Sequence, residues 1–313
     1  MRPRTPPRRR RAALALGLAV AALPARAGAD EPPPGFGRSA LPSLPATRYT
    51  PPAEPPPPDP MRVRWAVDLP ILGVSAAIWA AGGLMGRELR WAGCAACDPA
   101  RLNALDRTVI GNADHAARIV SDVGYATLAA APFLLDLGDA LLQRSRDASP
   151  ARPRHLRAWG KDAVVLLEVL AVDSALTNLV KFAVRRPRPY SYDPETAVGD
   201  PLAEESRLSF FSGHTSAAFA MATAYAYLFQ VRHPRSRWVA PVYVIGLGLA
   251  SVTGVARVAA GKHFWTDVLA GAAAGASVGL LVPALHRSRL PGAPRLSLAP
   301  MRPGLTVLLS GQF

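Results

Sequence analysis

The sequence predicts an all-α protein, a six-helix polytopic membrane bundle with its active site at one membrane face. Three observations predict it. Six apolar stretches approach the length a membrane helix needs, the basic residues gather between them, and the chemically capable side chains collect where the third, fourth and sixth stretches begin or end.

Residues 1–29 read as a signal-like leader. Arg2, Arg4 and Arg8 to Arg11 precede an apolar run from Ala12 to Leu23, followed by small residues around Ala25, Ala27 and Ala29. Residues 30–60 carry Pro32 to Pro34, Pro51, Pro52 and Pro55 to Pro58. With few bulky apolar residues, this stretch cannot offset its chain entropy by burial, so it reads as a disordered, partly polyproline linker.

Residues 61–290 form the helical domain. Its apolar segments run over 65–86, 119–142, 162–184, 214–231, 238–256 and 265–286. The fifth carries no charge before Arg257, and the sixth is rich in Gly and Ala, which lets neighbouring helices approach closely. Asp122, Asp136 and Asp139 fall in or beside the second segment, Glu168 and Asp173 inside the third. Ionised groups are expensive in hydrocarbon. Either these carboxylates face the bundle interior, or the domain is a soluble helical bundle with unusually apolar helices. The tail, 291–313, alternates weakly around Pro303 and Gly304 and reads as a small hairpin or as disorder.

The formal charge of +14 on 313 residues raises nucleic acid as a partner. The cations lie between apolar runs, however, and no zinc-finger spacing, basic helix or aromatic-interleaved basic surface accompanies them, so no nucleic-acid partner is expected. The two cysteines, Cys94 and Cys97, have the spacing of a redox dithiol, half a zinc site or a local structural pair, and the last is favoured.

Charges orient the bundle. The loop 143–161 and the positions Arg232, Arg235, Arg237, Arg287 and Arg289 place three basic loops in the cytoplasm, and the chemical face on the other side. A cleaved leader would invert this arrangement; the agreement of three separate loops outweighs it.

Three stretches carry the chemistry. The first is Lys181 to Pro189, where Lys181 and Arg185 share a helix face and Pro187 and Pro189 leave Arg188 on an extended segment. The second is Phe211-Ser212-Gly213-His214. Ser212 is a good N-cap, Gly213 permits close backbone approach, and the free amides of a helix start attract an anion beside His214. In the third, His263 follows Arg257 by six residues and precedes Asp267 by four, a spacing that on one helix lets the carboxylate orient the imidazole.

Together these stretches resemble the three-part signature of the type 2 phosphatidic acid phosphatase superfamily: Lys, six residues, Arg-Pro; Pro-Ser-Gly-His; Ser-Arg, five residues, His, three residues, Asp. Lys181, Arg188, Pro189, Ser212, Gly213, His214, Arg257, His263 and Asp267 match it in order, while Phe211 stands in place of the proline and Ala256 in place of the serine. The resemblance implies a hydrolase in which His263 attacks phosphorus to give a phosphohistidine, Asp267 orients it, and His214 protonates the leaving oxygen. It further implies that Lys181, Arg188, Ser212, Gly213 and Arg257 bind phosphate, with no metal or other cofactor and with vanadate as an inhibitor that mimics the transition state. The two departures remove no group that changes bonding.

The substrates the resemblance suggests are phosphatidic acid, phosphatidylglycerol phosphate, undecaprenyl pyrophosphate or lipid A phosphates, at a bacterial inner membrane with the site facing the periplasm. On the soluble reading, small phosphomonoesters in the periplasm take their place. The same constellation also serves vanadium-dependent haloperoxidases, lipid phosphotransferases and catalytically silent membrane proteins. Oligomeric state is not legible.

Overall fold

The computed structural model describes residues 58–85, 97–147, 154–193, 208–288, 295–301 and 304–310. The leader, nearly all of the Pro-rich linker and Cys94 lie outside them. Cys97 is disulfide-bonded.

Seven helices are described: α1 (Trp65–Met85), the single-turn α2 (Ala104–Arg107), α3 (His115–Arg146), α4 (Arg154–Val184), α5 (Gly213–Arg232), α6 (Val239–Ala259) and α7 (Trp265–His286). Short 3-10 turns at Pro99–Arg101 and Pro189–Tyr192 precede α2 and follow α4. Two of the expected segments lengthen. Helix α4 starts at Arg154 and α3 runs to Arg146, so much of the anticipated basic loop 143–161 is helix. Its Arg, Leu and Gln residues favour helix, and nothing breaks the hydrogen-bond ladder where the apolar pattern stops.

Helices α1, α3, α4, α6 and α7 are each long and apolar enough to cross a membrane. Their surfaces decide between the two readings of the bundle. Leu134, Val244, Leu281 and Leu285 point outward, the last 72% exposed, while Asp136, Glu168 and Asp173 are buried. A soluble bundle hides its leucines and wets its carboxylates; this bundle does the reverse, as a membrane-spanning one must.

Helix α5 is the fourth segment of the predicted plan and does not reach the same apolar length and composition. It sits in the middle of the bundle, against α3, α4, α6 and α7, with Ala218, Ala220, Met221, Ala224 and Ala226 fully buried. A helix that meets protein on every side can carry Ser and Thr where lipid-facing helices need Leu.

Close packing of α5 on α7 rests on three glycines. A Cβ at Gly271 would stand 2.7 Å from the Ser212 carbonyl oxygen, and Cβ atoms at Gly275 and Gly279 would overlap the Ser216 and Ala220 carbonyls outright. The spacing of four puts all three on one face of α7. This stripe sets the two helix starts, which carry His214 and Asp267, side by side.

At the opposite end of the bundle, residues 60–62 clip onto the end of α7. The Arg62 amide donates to the His286 carbonyl at 2.8 Å and the Ser288 amide to the Pro60 carbonyl at 2.7 Å. Buried Asp162 pairs with Arg232, which together with Lys161 also holds Asp59. To the helical bundle the structure adds a two-stranded antiparallel hairpin, β1 (Arg295–Met301) and β2 (Gly304–Ser310), in register from Arg295 opposite Ser310 to Met301 opposite Gly304.

Candidate active site

The end of α6 places Arg257 and His263. Helix α6 stops at Ala259, and Gly261 follows in the left-handed region at φ +64°, where a side chain would also collide with the Asn112 carbonyl. The turn is pinned by the Asn112 side chain, which donates to the Val258 carbonyl at 3.2 Å, and by the Asp114 amide, which donates to the Ala259 carbonyl at 3.2 Å. Phe264, fully buried among Leu102, Val109, Val258 and Val268, anchors the far side of this turn. His263 is thereby held inward, 1% exposed.

His263 therefore lies before α7 rather than on it. The shared helix face expected for His263 and Asp267 does not form, because α7 begins only at Trp265. His263 Nδ1 instead donates to the Ser209 backbone carbonyl at 2.8 Å and stands 3.7 Å from Asp267 Oδ2, beyond hydrogen-bond reach. The carbonyl can only accept, so the proton sits on Nδ1 and Nε2 carries the lone pair.

Asp267 has other partners. It accepts from Ser209 Oγ at 2.5 Å, Arg186 Nη1 at 2.6 Å and the Phe264 amide at 2.9 Å, and is completely buried. Arg186 also reaches Asp106 Oδ2 at 2.7 Å and lies over the Phe264 ring, 4.3 Å from its centroid. Asp106, buried beside α2, accepts further bonds from the Thr266 and Asn103 side chains. Burial opposes its ionisation, but the hydrogen bonds from Arg186, Thr266 and Asn103 outweigh it and hold the carboxyl below the usual range.

Ser212 caps α5, its Oγ accepting from the Thr215 amide at 3.4 Å and the Thr215 hydroxyl at 2.9 Å. Its own amide donates to the Asp267 carbonyl at 3.1 Å, so the amides left for an anion are those of Gly213 and His214 in the first turn. Gly213 faces α4: a Cβ there would lie 3.1 Å from Thr177 Cγ2 and 3.8 Å from Lys181 Nζ. His214 Nε2 is 3.2 Å from Asp122 Oδ1, and its ring lies 4.7 Å from that of Tyr125. The same Asp122 oxygen accepts from Arg257 Nη1 at 3.1 Å, and Arg257 also donates to Ser121 Oγ at 3.2 Å.

The fold thus gathers the predicted cations and histidines. The charges of Arg188, Arg257, Lys181 and His214 all bear on His263. Complete burial first, then the positive charges of Arg188, Arg257 and Lys181, hold its pKa well below 6.5, so the imidazole stays neutral. Arg188, 4% exposed, leads into the Pro189–Tyr192 turn. Arg185 does not share a helix face with Lys181. It follows the last residue of α4 at φ +51°, its Nε donating to the Phe182 carbonyl at 2.8 Å.

Sequence reasoning missed Asp122, Arg186, Ser209 and Asp106. Asp122 had a signal, since an intramembrane carboxylate is a functional candidate by default. Arg186 reads as one more basic flank beside Arg188, and Ser209 acts on His263 through its backbone, which leaves no trace in the side-chain pattern.

A pocket lined by Gly213, His214, Asp173 and Thr177 adjoins this centre, with the Ser216 hydroxyl donating to Asp173 at 2.5 Å. Trp79 and Asn178 line both that pocket and a groove of about 480 Å³ between α1 and α4, walled by Leu84, Phe182, Leu208 and Lys181.

Over 126 residues the chain is 36% identical to the lipid A 1-phosphatase of Porphyromonas gingivalis, covering 40% of this chain and 24% of that protein. Over 128 residues it is 36% identical to phosphatidylglycerophosphatase B of Bacillus subtilis, covering 40% of this chain and 56% of that one. Phospholipid phosphatase 1 of Rattus norvegicus is 29% identical over 133 residues, 36% of this chain and 47% of its own. The chain thus spans from a quarter to just over half the length of these relatives. A solved transmembrane phosphatidylglycerolphosphate phosphatase from Bacillus subtilis aligns over 71% of this chain and 92% of its own at 21% identity, with a TM-score of 0.39, too low to bear on the fold. The PAP2 superfamily model matches residues 162–291, the stretch that holds all three motifs.

Proposed function

We propose that this chain is a metal-independent phosphatase that hydrolyses a phosphomonoester or pyrophosphate on a lipid, through a phosphohistidine at His263. The observation that carries the reading is the state of His263. It is buried and neutral, its Nδ1 proton is held by the Ser209 carbonyl, and its free Nε2 belongs to a ring on which three cations act. A nucleophile needs that lone pair, and a phosphoryl group needs those cations.

Nε2 attacks phosphorus while Lys181, Arg188, Arg257 and the first-turn amides of α5 hold the equatorial oxygens. His214 gives its proton to the leaving oxygen and later takes one from the attacking water. Asp122 anchors His214 and Arg257 to one carboxylate oxygen, which keeps acid and clamp in fixed relation. Asp267 supplies negative charge beside the imidazolium that forms. The three cations provide the charge compensation that a metal provides in other phosphatases.

The apolar groove between α1 and α4 supports a lipid substrate, since acyl chains fit between its walls while the phosphate reaches Lys181. It favours hydrolysis of a lipid phosphate over halide oxidation, which needs no such wall. The charge pattern supports a site on the periplasmic face of an inner membrane, with Arg232, Arg235, Arg237 and Arg287 in the cytoplasm. A reporter fused after Arg289 tests that orientation, and a periplasmic signal there would reverse it.

The reaction is tested by phosphate release from phosphatidic acid, phosphatidylglycerol phosphate, undecaprenyl pyrophosphate and lipid A, using wild type and His263→Ala. Wild type releases phosphate from at least one, and His263→Ala loses on the order of 10³-fold or more. Equal release by both proteins would remove His263 from the mechanism.

A further inference from the structure

At the end of the bundle remote from His263, three ionisable side chains from three helices converge in the interior. They are Asp68 of α1, Glu168 of α4 and His286, the last residue of α7, exposed by only 1%, 4% and 3%. At about 1.5 Å per residue, the length of α7 puts roughly 33 Å between this cluster and the reaction centre. His286 Nε2 lies 3.4 Å from Asp68 Oδ2 and 3.3 Å from Glu168 Oε2, yet neither approach is aligned as a hydrogen bond. His286 Nε2, Glu168 Oε2 and Asp68 Oδ1 are buried with no hydrogen-bond partner. Buried polar atoms without partners are rare, and three in one cluster call for a ligand.

The orientation of the histidine narrows what that ligand is. His286 Nδ1 donates to the Val282 carbonyl at 2.9 Å, so Nε2 is the ring nitrogen turned toward the two carboxylates. Two buried carboxylates facing one imidazole nitrogen, with no hydrogen bond aligned between them, call for positive charge at the point where the three atoms converge. In a tetrahedral site with bonds of about 2.0–2.1 Å, neighbouring ligand atoms stand about 3.3–3.4 Å apart, which matches both observed separations. The surroundings match as well. A ligating histidine donates its other nitrogen to a carbonyl, and a ligating carboxylate is itself hydrogen-bonded, as Asp68 Oδ2 is by the Arg64 amide at 2.6 Å. An imidazole ligand with so few oxygens suits a transition metal better than Ca²⁺ or Mg²⁺.

We propose that Asp68, Glu168 and His286 form a structural site for a divalent transition metal of the Zn²⁺ class that ties α1, α4 and α7 together. The site is separate from the phosphate chemistry, and its existence does not depend on that reading.

The test uses the full purified chain, stripped with chelator and titrated with Zn²⁺ or Co²⁺, with metal content measured by mass spectrometry and the Co²⁺ complex by absorption. Wild type takes up one ion per chain and gives a tetrahedral Co²⁺ spectrum. His286→Ala and the isosteric Glu168→Gln each weaken binding by at least about tenfold, whereas His263→Ala binds as wild type does. Failure of wild type to retain metal above background, as a shared proton in the cluster would produce, overturns the proposal. So does undiminished binding by Glu168→Gln, which serves even if His286→Ala does not fold.

Discussion

Replacing Asp267 with Asn separates two ways a carboxylate can serve the histidine beside it. If Asp267 fixed the ring by a direct hydrogen bond, Asn would scramble the tautomer, and a loss near 10⁴-fold would follow, as it does in a Ser-His-Asp triad. Here the Ser209 carbonyl fixes the tautomer, and Asp267 Oδ2 stands 3.7 Å from Nδ1. Its contribution is then the Coulomb attraction for the imidazolium of the transition state. At 3.7 Å and an effective dielectric constant of about 20 that attraction is at most about 4.5 kcal/mol, and charge shared with phosphorus reduces it. The expected fall in kcat is on the order of 10²- to 10³-fold. Arg186 keeps Asp106 as a partner, so stability drops by about 1.5–3 kcal/mol, the worth of a charge-assisted hydrogen bond. Single-turnover phosphate release in micelles measures the first effect. The ¹⁵N shifts of His263 show whether the proton remains on Nδ1. A proton found on Nε2 in Asp267→Asn, or an unchanged kcat, would refute the assignment.

The depressed pKa of His263 sets the acid limb of activity. The neutral ring is the active form, so kcat/KM persists as pH falls through 6.5 and declines only at the lower folded-state value; an acid limb at 6.5 or above contradicts the burial argument. The same shift makes the folded chain bind fewer protons than the unfolded chain, so its contribution to stability is lost as pH falls below 6.5, which melting curves across that range would show. Asp122→Asn removes the charge that His214 and Arg257 share, yet Asp122 is half-exposed and Ser121 remains; a stability loss under about 1 kcal/mol with a kcat/KM loss on the order of tenfold is expected from melting and kinetics. Gly275→Ala forces α5 and α7 apart and costs about 1–3 kcal/mol or more, whereas Gly73→Ala, which meets nothing within 4 Å, leaves the melting temperature nearly unchanged.

Much of the candidate site is legible in the sequence. Lys181, Arg188, Ser212, Gly213, His214, Arg257, His263 and Asp267 stand out as candidates from residue type, spacing and the resemblance of the three stretches to one signature, because charge, lone pair and cap are properties of the residue itself. The helix plan is legible for the same reason: length and hydropathy are local properties, and the predicted segments fall within a few residues of α1, α5, α6 and α7. What the residues touch is not. The His263–Asp267 spacing suggests a helical pair, but Gly261 and the buried Phe264 put a turn between them, so Ser209, 54 residues away in sequence, becomes the partner. Asp122 is visible only as a charge out of place until α3 and α6 pack together. The chain by itself determines which groups are present and which helices carry them. Only the tertiary structure decides which lone pair is free, because hydrogen-bond partners are set by contacts between distant segments, and these leave no periodic mark on the sequence.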